Sequence, residues 1–215
     1  MEEPLRPVAG DHLKLIETFR AEDGYMSRID RHLARMARGA AQLAFAFDRQ
    51  RVERALEAVP PQGSWRVRVT MSVDGTVEVT TTEFKEIAPP WQVGLAAPRL
   101  DSADPWLSVK STRRAVYDTA RQNLPAGIDE VVFLNERGEV CEGTITNVFV
   151  EIEGGLLTPP RRSGLLPGIL REELLADGHC REQVLFPDDL HQAARLYCGN
   201  SLRGLIPSVL PPSSR

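Results

Sequence analysis

Lysine is nearly absent from this 215-residue chain: Lys14, Lys85 and Lys110 stand against 23 arginines. Bias toward arginine codons accounts for most of that imbalance. It still narrows amine chemistry to three positions, because a guanidinium stays protonated. Cysteine is equally scarce. Cys141, Cys180 and Cys198 are an odd number without metal-ligand spacing, which argues against a disulfide framework and structural zinc and suits reduced thiols in a cytosol. No apolar run nears the roughly 20 residues of a membrane helix. The opening MEEPLRPVAGDHL has neither the basic start nor the apolar segment of a secretory leader. A formal charge of −4 gives no general electrostatic hold on nucleic acid. There are no internal repeats and no low-complexity tracts. The expectation is a cytoplasmic protein without a membrane or nucleic-acid partner, and without a bound metal.

Hydrophobic residues at 42% and charged residues at 26% are ordinary globular usage. The periodicity predicts an α+β first lobe over residues 1–88. A strand over His12–Arg20 leads to a helix capped by Ser27, with Ile29, Leu33, Met36, Ala37 and Ala40 on one face. A second helix spans Asp48 to Val59, and Asp74-Gly75 turns a hairpin between Trp65–Val73 and Thr76–Thr82. The prolines of Glu86–Trp106 predict an irregular connection, assigned to 89–108. A second lobe, 109–215, starts with a helix over Ser111–Gln122. Short strands follow at Glu130–Leu134, Glu139–Cys141, Asn147–Ile152 and Leu156–Thr158, then helices from Gly168 to Ala176 and over Asp188–Ala194. Leu196–Cys198 and Leu205–Val209 close the sheet.

Four clusters could carry chemistry. Arg28, His32 and Arg35 form a basic stripe at helical spacing, which suits either a solvated face or an anion site. Pro167-Gly168 leads into a helix whose first N–H groups would face an anion, though a tight helix entry alone explains it. Glu142, before a glycine and small hydroxyl residues, could pair with a protonated ring nitrogen or sit in water as a turn carboxylate. Lys110 ends the apolar run Trp106–Val109 beside Arg113 and Arg114, a setting that can lower an amine's pKa and make it nucleophilic. An exposed lysine at a helix start is the plainer reading.

Taken together, HLARMARGA, VKSTRRAVYD, LNERGEVCEGTITNVFV, LLTPPRRSGLLPGILRE and GNSLRG resemble the class IV aminotransferases over most of residues 15–209. The resemblance implies an α+β, two-lobed, D-amino-acid aminotransferase-like fold (fold type IV), with a small N-terminal α/β lobe and a larger, β-rich C-terminal lobe. It implies pyridoxal 5'-phosphate as cofactor, a small-molecule amino substrate and a homodimer. Lys110, 32 positions before Glu142, matches the Schiff-base lysine, and Glu142 the acid facing the pyridine nitrogen. Arg35 matches the phosphate arginine, and Gly168, Ile169 and Leu170 the phosphate loop at a helix start. Asn147 belongs to the same motif, and Asn200 and Ser201 complete the phosphate cup. Thr18, Arg113, Arg114, Tyr117 and Arg203 are candidates for substrate contact.

Two departures bear on the expectation. The family loop commonly carries a hydroxyl where Leu170 stands, and the hairpin that usually precedes the LIETFR strand has no counterpart here. They motivate a lower-ranked alternative, a scaffold that binds cofactor without turnover. Within the family, NSLRG and KSTRR resemble the lyase members, implying 4-amino-4-deoxychorismate lyase chemistry (4-aminobenzoate plus pyruvate, for folate biosynthesis). The alternative is an amino-acid aminotransferase of the branched-chain or D-amino-acid type.

Overall fold

The computed structural model describes residues 12–211. Residues 1–11, which hold most of the segment judged not to be a leader, lie outside them, as do 212–215. The chain divides into two compact units: residues 1–86 with 109–113, and residues 87–108 with 114–215.

The first unit is a four-stranded antiparallel sheet carrying two helices. Strand β1 (Leu15–Glu22) turns at Asp23-Gly24 into the short β2 (Tyr25–Met26), and α1 (Ile29–Leu43) follows. Helix α2 (Arg49–Leu56) and the hairpin β3 (Ser64–Met71)–β4 (Val77–Glu83) complete it, in the order β2-β1-β3-β4. Strand alternation buries Leu15, Glu17, Phe19 and Ala21, while α1 buries His32, Leu33, Arg35, Met36 and Ala40. Gly39 lets α1 approach closely: a Cβ there would lie 3.0 Å from a Leu15 methyl and 3.8 Å from Val109.

Ser27 is not the cap of α1. Its N–H donates to the Arg20 carbonyl as part of the β1–β2 turn, so the chain enters the helix only after Arg28, in the left-handed region at φ 57°. Asp48 does cap α2, accepting from the N–H groups of Gln50 and Arg51. That helix ends at Leu56 rather than Val59, because the residues before Pro60 close into tight turns. Residues 109–113, expected to open the second lobe, instead run beside β1. The Ile16 N–H donates to the Lys110 carbonyl, Leu15 bridges Ser111, and the Thr112 N–H donates to the Lys14 carbonyl. This extended stretch delays the expected helix to Ala115.

The second unit is built on an eight-stranded sheet. The segment expected to be irregular contains its longest strand, β5 (Trp91–Leu100), parallel to both of its neighbours. Pro98 sits where the register with the next strand shifts, between Leu95 and Arg99, so its missing N–H costs no ladder bond in a regular stretch. Helix α3 (Ala115–Gln122) is followed by β6 (Glu130–Asn135), β7 (Val140–Gly143), β8 (Asn147–Ile152) and β9 (Gly155–Thr158). The β8–β9 hairpin turns on Glu153 and Gly154, both exposed and at positive φ. Helix α4 (Ile169–Ala176), β10 (Arg181–Glu182), α5 (Pro187–Gln192), β11 (Arg195–Asn200) and β12 (Gly204–Val209) complete the unit.

The strand order is β10-β9-β8-β11-β12-β5-β6-β7, and β7 also pairs with β8 through Glu142 and Asn147. That last pair closes six strands into a ring, with β9 and β10 appended. The ring buries Trp91, Val93, Val132, Leu134, Val148 and Val150 on one face. Phe133 and Cys141 point the other way, against Leu100 and Tyr117. Among the described residues, no helix is long and apolar enough to cross a membrane.

Candidate active site

In the first unit, the stripe on α1 is not a solvated face. His32 is fully buried and Arg35 nearly so, and both turn onto the Glu17 carboxylate of β1. Arg35 donates from Nε to Glu17 Oε1 at 2.9 Å and from Nη2 to Oε2 at 2.6 Å, a two-bond fork. His32 Nδ1 lies 2.5 Å from Oε2, and its ring packs on Phe19 at 5.2 Å between centroids. Burial opposes the Glu17 charge, but the Arg35 guanidinium and the His32 hydrogen bond overcome it and hold the carboxyl at about 2. Burial is also the main reason His32 is pushed below its usual value; Glu17 opposes this, and the Arg35 and Lys110 charges add to it. Because an ionised Glu17 only accepts, Nδ1 carries the shared hydrogen. Lys110 is half-buried, with its carbonyl tied to Ile16, the neighbour of Glu17. One small cluster thus gathers Lys110 with Arg35.

In the second unit, Glu142, one residue before the end of β7, lies directly opposite Asn147, which begins β8. Glu142 is buried, and Tyr117 Oη of α3 donates to its Oε1 at 2.7 Å. Burial and the Glu142 charge push the Tyr117 phenol well above its usual value, so it stays protonated and keeps donating. Asn147 Nδ2 donates to the Leu166 carbonyl at 2.9 Å. Its Oδ1 occupies the place a Cβ on Gly168 would need, so glycine is required there for close approach rather than for its φ of −68°. Gly168 is the N-cap of α4 and makes no side-chain cap hydrogen bond, so the first turn at Ile169 and Leu170 has no side-chain cap.

The remaining candidates divide by what they touch. Leu170 is buried, with a methyl 3.0 Å from where a Cβ on Gly199 would be; it contributes packing and a backbone N–H. Asn200 Oδ1 accepts from the N–H groups of Leu202 and Arg203, and Nδ2 donates to the Ile145 carbonyl. Its side chain therefore shapes the β11–β12 turn that carries buried Ser201 and half-buried Arg203. Arg114 donates to Asp118 and to the Thr144 carbonyl and lies over the Tyr117 ring, which makes it part of the framework around Glu142. Arg113 is exposed, and Thr18 is half-buried opposite Arg68 on the sheet face away from Glu17.

Two buried carboxylates have a setting that no local motif announces. Glu17 lies within the LIETFR strand with no role of its own assigned from sequence, and a carboxylate among Ile16 and Phe19 at an inward-facing position is the signal available for it. Glu130, fully buried at the start of β6, and its partners Thr144 and Thr146 were read only as strand and turn residues. The three free thiols are buried, and burial pushes Cys141 and Cys198 up to about 12 and Cys180 up to about 11, which favours the protonated form.

Each unit carries groups of the kind that pyridoxal phosphate needs: the first has an amine at Lys110 and a guanidinium at Arg35, and the second has a carboxylate at Glu142 held by a phenol and a helix start with no side-chain cap at Gly168. A helix-covered sheet joined in one chain to a β-rich ring unit, with these groups, defines a fold type IV pyridoxal-phosphate enzyme. The model of the family described as amino-transferase class IV matches residues 14–209, and the chain belongs to that family, whose members work with pyridoxal phosphate.

The chain is 31% identical over 198 residues to a Schizosaccharomyces pombe protein provisionally named an aminodeoxychorismate lyase, covering 87% of this chain and 86% of that protein. It is 32% identical over 105 residues to a Thermotoga maritima protein provisionally named a branched-chain-amino-acid aminotransferase, covering 46% of this chain and 38% of that one. A crystal structure from Mesorhizobium loti, provisionally named an amino-acid aminotransferase, is 43% identical with a TM-score of 0.87, covering 93% of this chain and all of that one.

Proposed function

We propose that this enzyme is a lyase of the 4-amino-4-deoxychorismate type, releasing 4-aminobenzoate and pyruvate. The observation that carries the reading is the near end-to-end match to the lyase-named relative, against a match over less than half of the branched-chain relative. A transaminase is the second reading, favoured by the 43% identical aminotransferase-named structure.

In either reading the residue roles are the same. Bound pyridoxal phosphate supplies an electron sink for the carbon next to the substrate nitrogen. Lys110 Nζ would hold the cofactor and, as a free amine, would take the proton from that carbon. Glu142 keeps the ring nitrogen protonated, with Tyr117 orienting its carboxylate through the 2.7 Å bond. Arg35, aimed by Glu17, and the N–H groups at Ile169 and Leu170 bind the phosphate. Asn147 fixes Gly168 against that loop, and Asn200 and Ser201 border it. The two readings diverge once that proton has been taken: in the lyase the carbon–oxygen bond to the enolpyruvyl group would break as the ring becomes aromatic, and the expelled enolpyruvate would take up a proton to become pyruvate, whereas in the transaminase Lys110 would return the proton on the cofactor side and the product would be a keto acid.

The deciding experiment offers 4-amino-4-deoxychorismate to purified holoenzyme without any keto acid. Sustained release of 4-aminobenzoate and pyruvate over many turnovers is expected, since a transaminase stops without an acceptor. No aromatic product, with conversion of the cofactor to its amine form by ordinary amino acids, overturns the lyase in favour of the transaminase.

A further inference from the structure

We infer that Glu130 is a positioning residue for the Glu142–Asn147 pair; the inference rests on the roles proposed for those two residues. Glu130 opens β6 with its side chain fully buried. Its Oε1 accepts from the Thr144 N–H at 3.0 Å, the Thr144 hydroxyl at 2.5 Å and the Val131 N–H at 3.0 Å. Its Oε2 accepts from the Thr146 hydroxyl at 3.0 Å and the Ile145 N–H at 3.3 Å. Arg121 Nη1 approaches Oε1 at 3.5 Å and balances the charge. Four of the five hydrogen bonds thus come from three consecutive residues, 144–146.

Those residues are the turn whose ends carry Glu142 and Asn147. The Gly143 N–H closes the turn onto the Thr146 carbonyl at 2.8 Å. A Cβ on Gly143 would lie 2.9 Å from the Glu130 carboxyl, so the turn is seated directly on that group. Turn carbonyls are tied outward as well, Thr144 to Arg114 and Ile145 to Asn200. From Asn147 the chain of contacts continues to Leu166 and Gly168.

The chemistry of the group explains why it is an acid. Several N–H and O–H donors converge on one buried point, and only a carboxylate presents acceptors in every direction and no donor of its own. Burying that charge is costly unless it is fully satisfied. A turn that needed only stability could fill the site with an apolar side chain and face its donors to water. Here the donors are drawn inward, which fixes the turn's angle and with it the two functional residues at its ends.

The test uses purified protein reconstituted with pyridoxal phosphate. Its readouts are the dissociation constant of the cofactor, the pH midpoint of the bound cofactor's visible absorbance, and thermal melting. Glu130→Gln and, separately, Thr146→Val are expected to weaken cofactor binding by about tenfold, the scale of one lost hydrogen bond to a charged group. Both are also expected to move the pH midpoint in the direction that Glu142→Gln moves it. Leu190→Ala, a buried position on α5, should lower melting alone. Should Glu130→Gln fail to fold, Thr146→Val decides. Unchanged binding and midpoint with lowered melting would make Glu130 a stability residue and overturn the inference. An immobile midpoint in Glu142→Gln would instead overturn the role of Glu142, leaving Glu130 to be judged by cofactor binding through Asn147.

Discussion

Replacing Glu17 by glutamine should cost the protein about 3 kcal/mol at neutral pH, and two independent arguments reach that figure. Holding the carboxyl at about 2 rather than at 4.5 corresponds to about 3 kcal/mol, at about 1.4 kcal/mol for each tenfold change in proton affinity. Removing one partner of a buried ion pair typically costs about 3 to 5 kcal/mol, because the other charge is left uncompensated. That other charge is Arg35, forked onto Glu17 through Nε and Nη2. The pH dependence has a definite sign. A carboxyl whose folded value is depressed stabilises the protein above its unfolded value, and the contribution fades as pH falls toward the folded value. Guanidinium denaturation of wild type and Glu17→Gln at a series of pH values therefore has a distinctive expected shape. The gap between them should be full at pH 7, begin to close near 4.5 and be nearly gone near 2. A gap near zero at pH 7, or one that stays constant on acidification, would refute the coupling assigned to Glu17, His32 and Arg35.

Two further outcomes are expected. Gly168→Ala should overpack the contact with Asn147 at a cost of about 1 to 3 kcal/mol, and the displaced amide should release Leu166. Melting and cofactor titration should both register it, and wild-type cofactor affinity would count against the cradle. Tyr117→Phe removes the phenol's bond to Glu142, worth about 1 to 3 kcal/mol to a buried acceptor. Turnover should fall and the pH midpoint of the bound cofactor's absorbance should shift, whereas loss of stability alone would leave that midpoint in place.

Much of the fold was legible because its signals are local. The Asp74-Gly75 hairpin, the helix beginning at Asp48 and the strands on either side of Gly143 declare themselves within a few residues. What escaped depends on distant partners. Strand β5 carries a proline and a broken alternation, and is a strand because β6 and β12 flank it. Residues 111–113 read as the start of a helix until β1 offers its edge to the stretch 110–112. The candidate site shows the same division. Lys110, Glu142 and the Gly168 loop, the residues proposed to meet the cofactor, stand out by motif. Glu17 and Glu130 do not, since what makes each of them matter is a set of donors brought in from another element. Buried carboxylates in strands look like any other polar position until their partners are known.

The two hairpins that flank β8 make opposite demands on chain length. The turn at 143–146 closes the strand ring and is pinned from inside by a carboxylate, so adding or deleting one residue there would rotate Asn147 out of register with Glu142. The turn at Glu153-Gly154 projects into open space, with nothing within 4 Å of where a Cβ on Gly154 would be. Insertions are therefore expected to be tolerated on one side of this strand and not on the other. A reporter peptide or fluorophore spliced between Glu153 and Gly154 would ride on a rigid strand whose far end reaches the candidate site without altering the spacing on which that site depends.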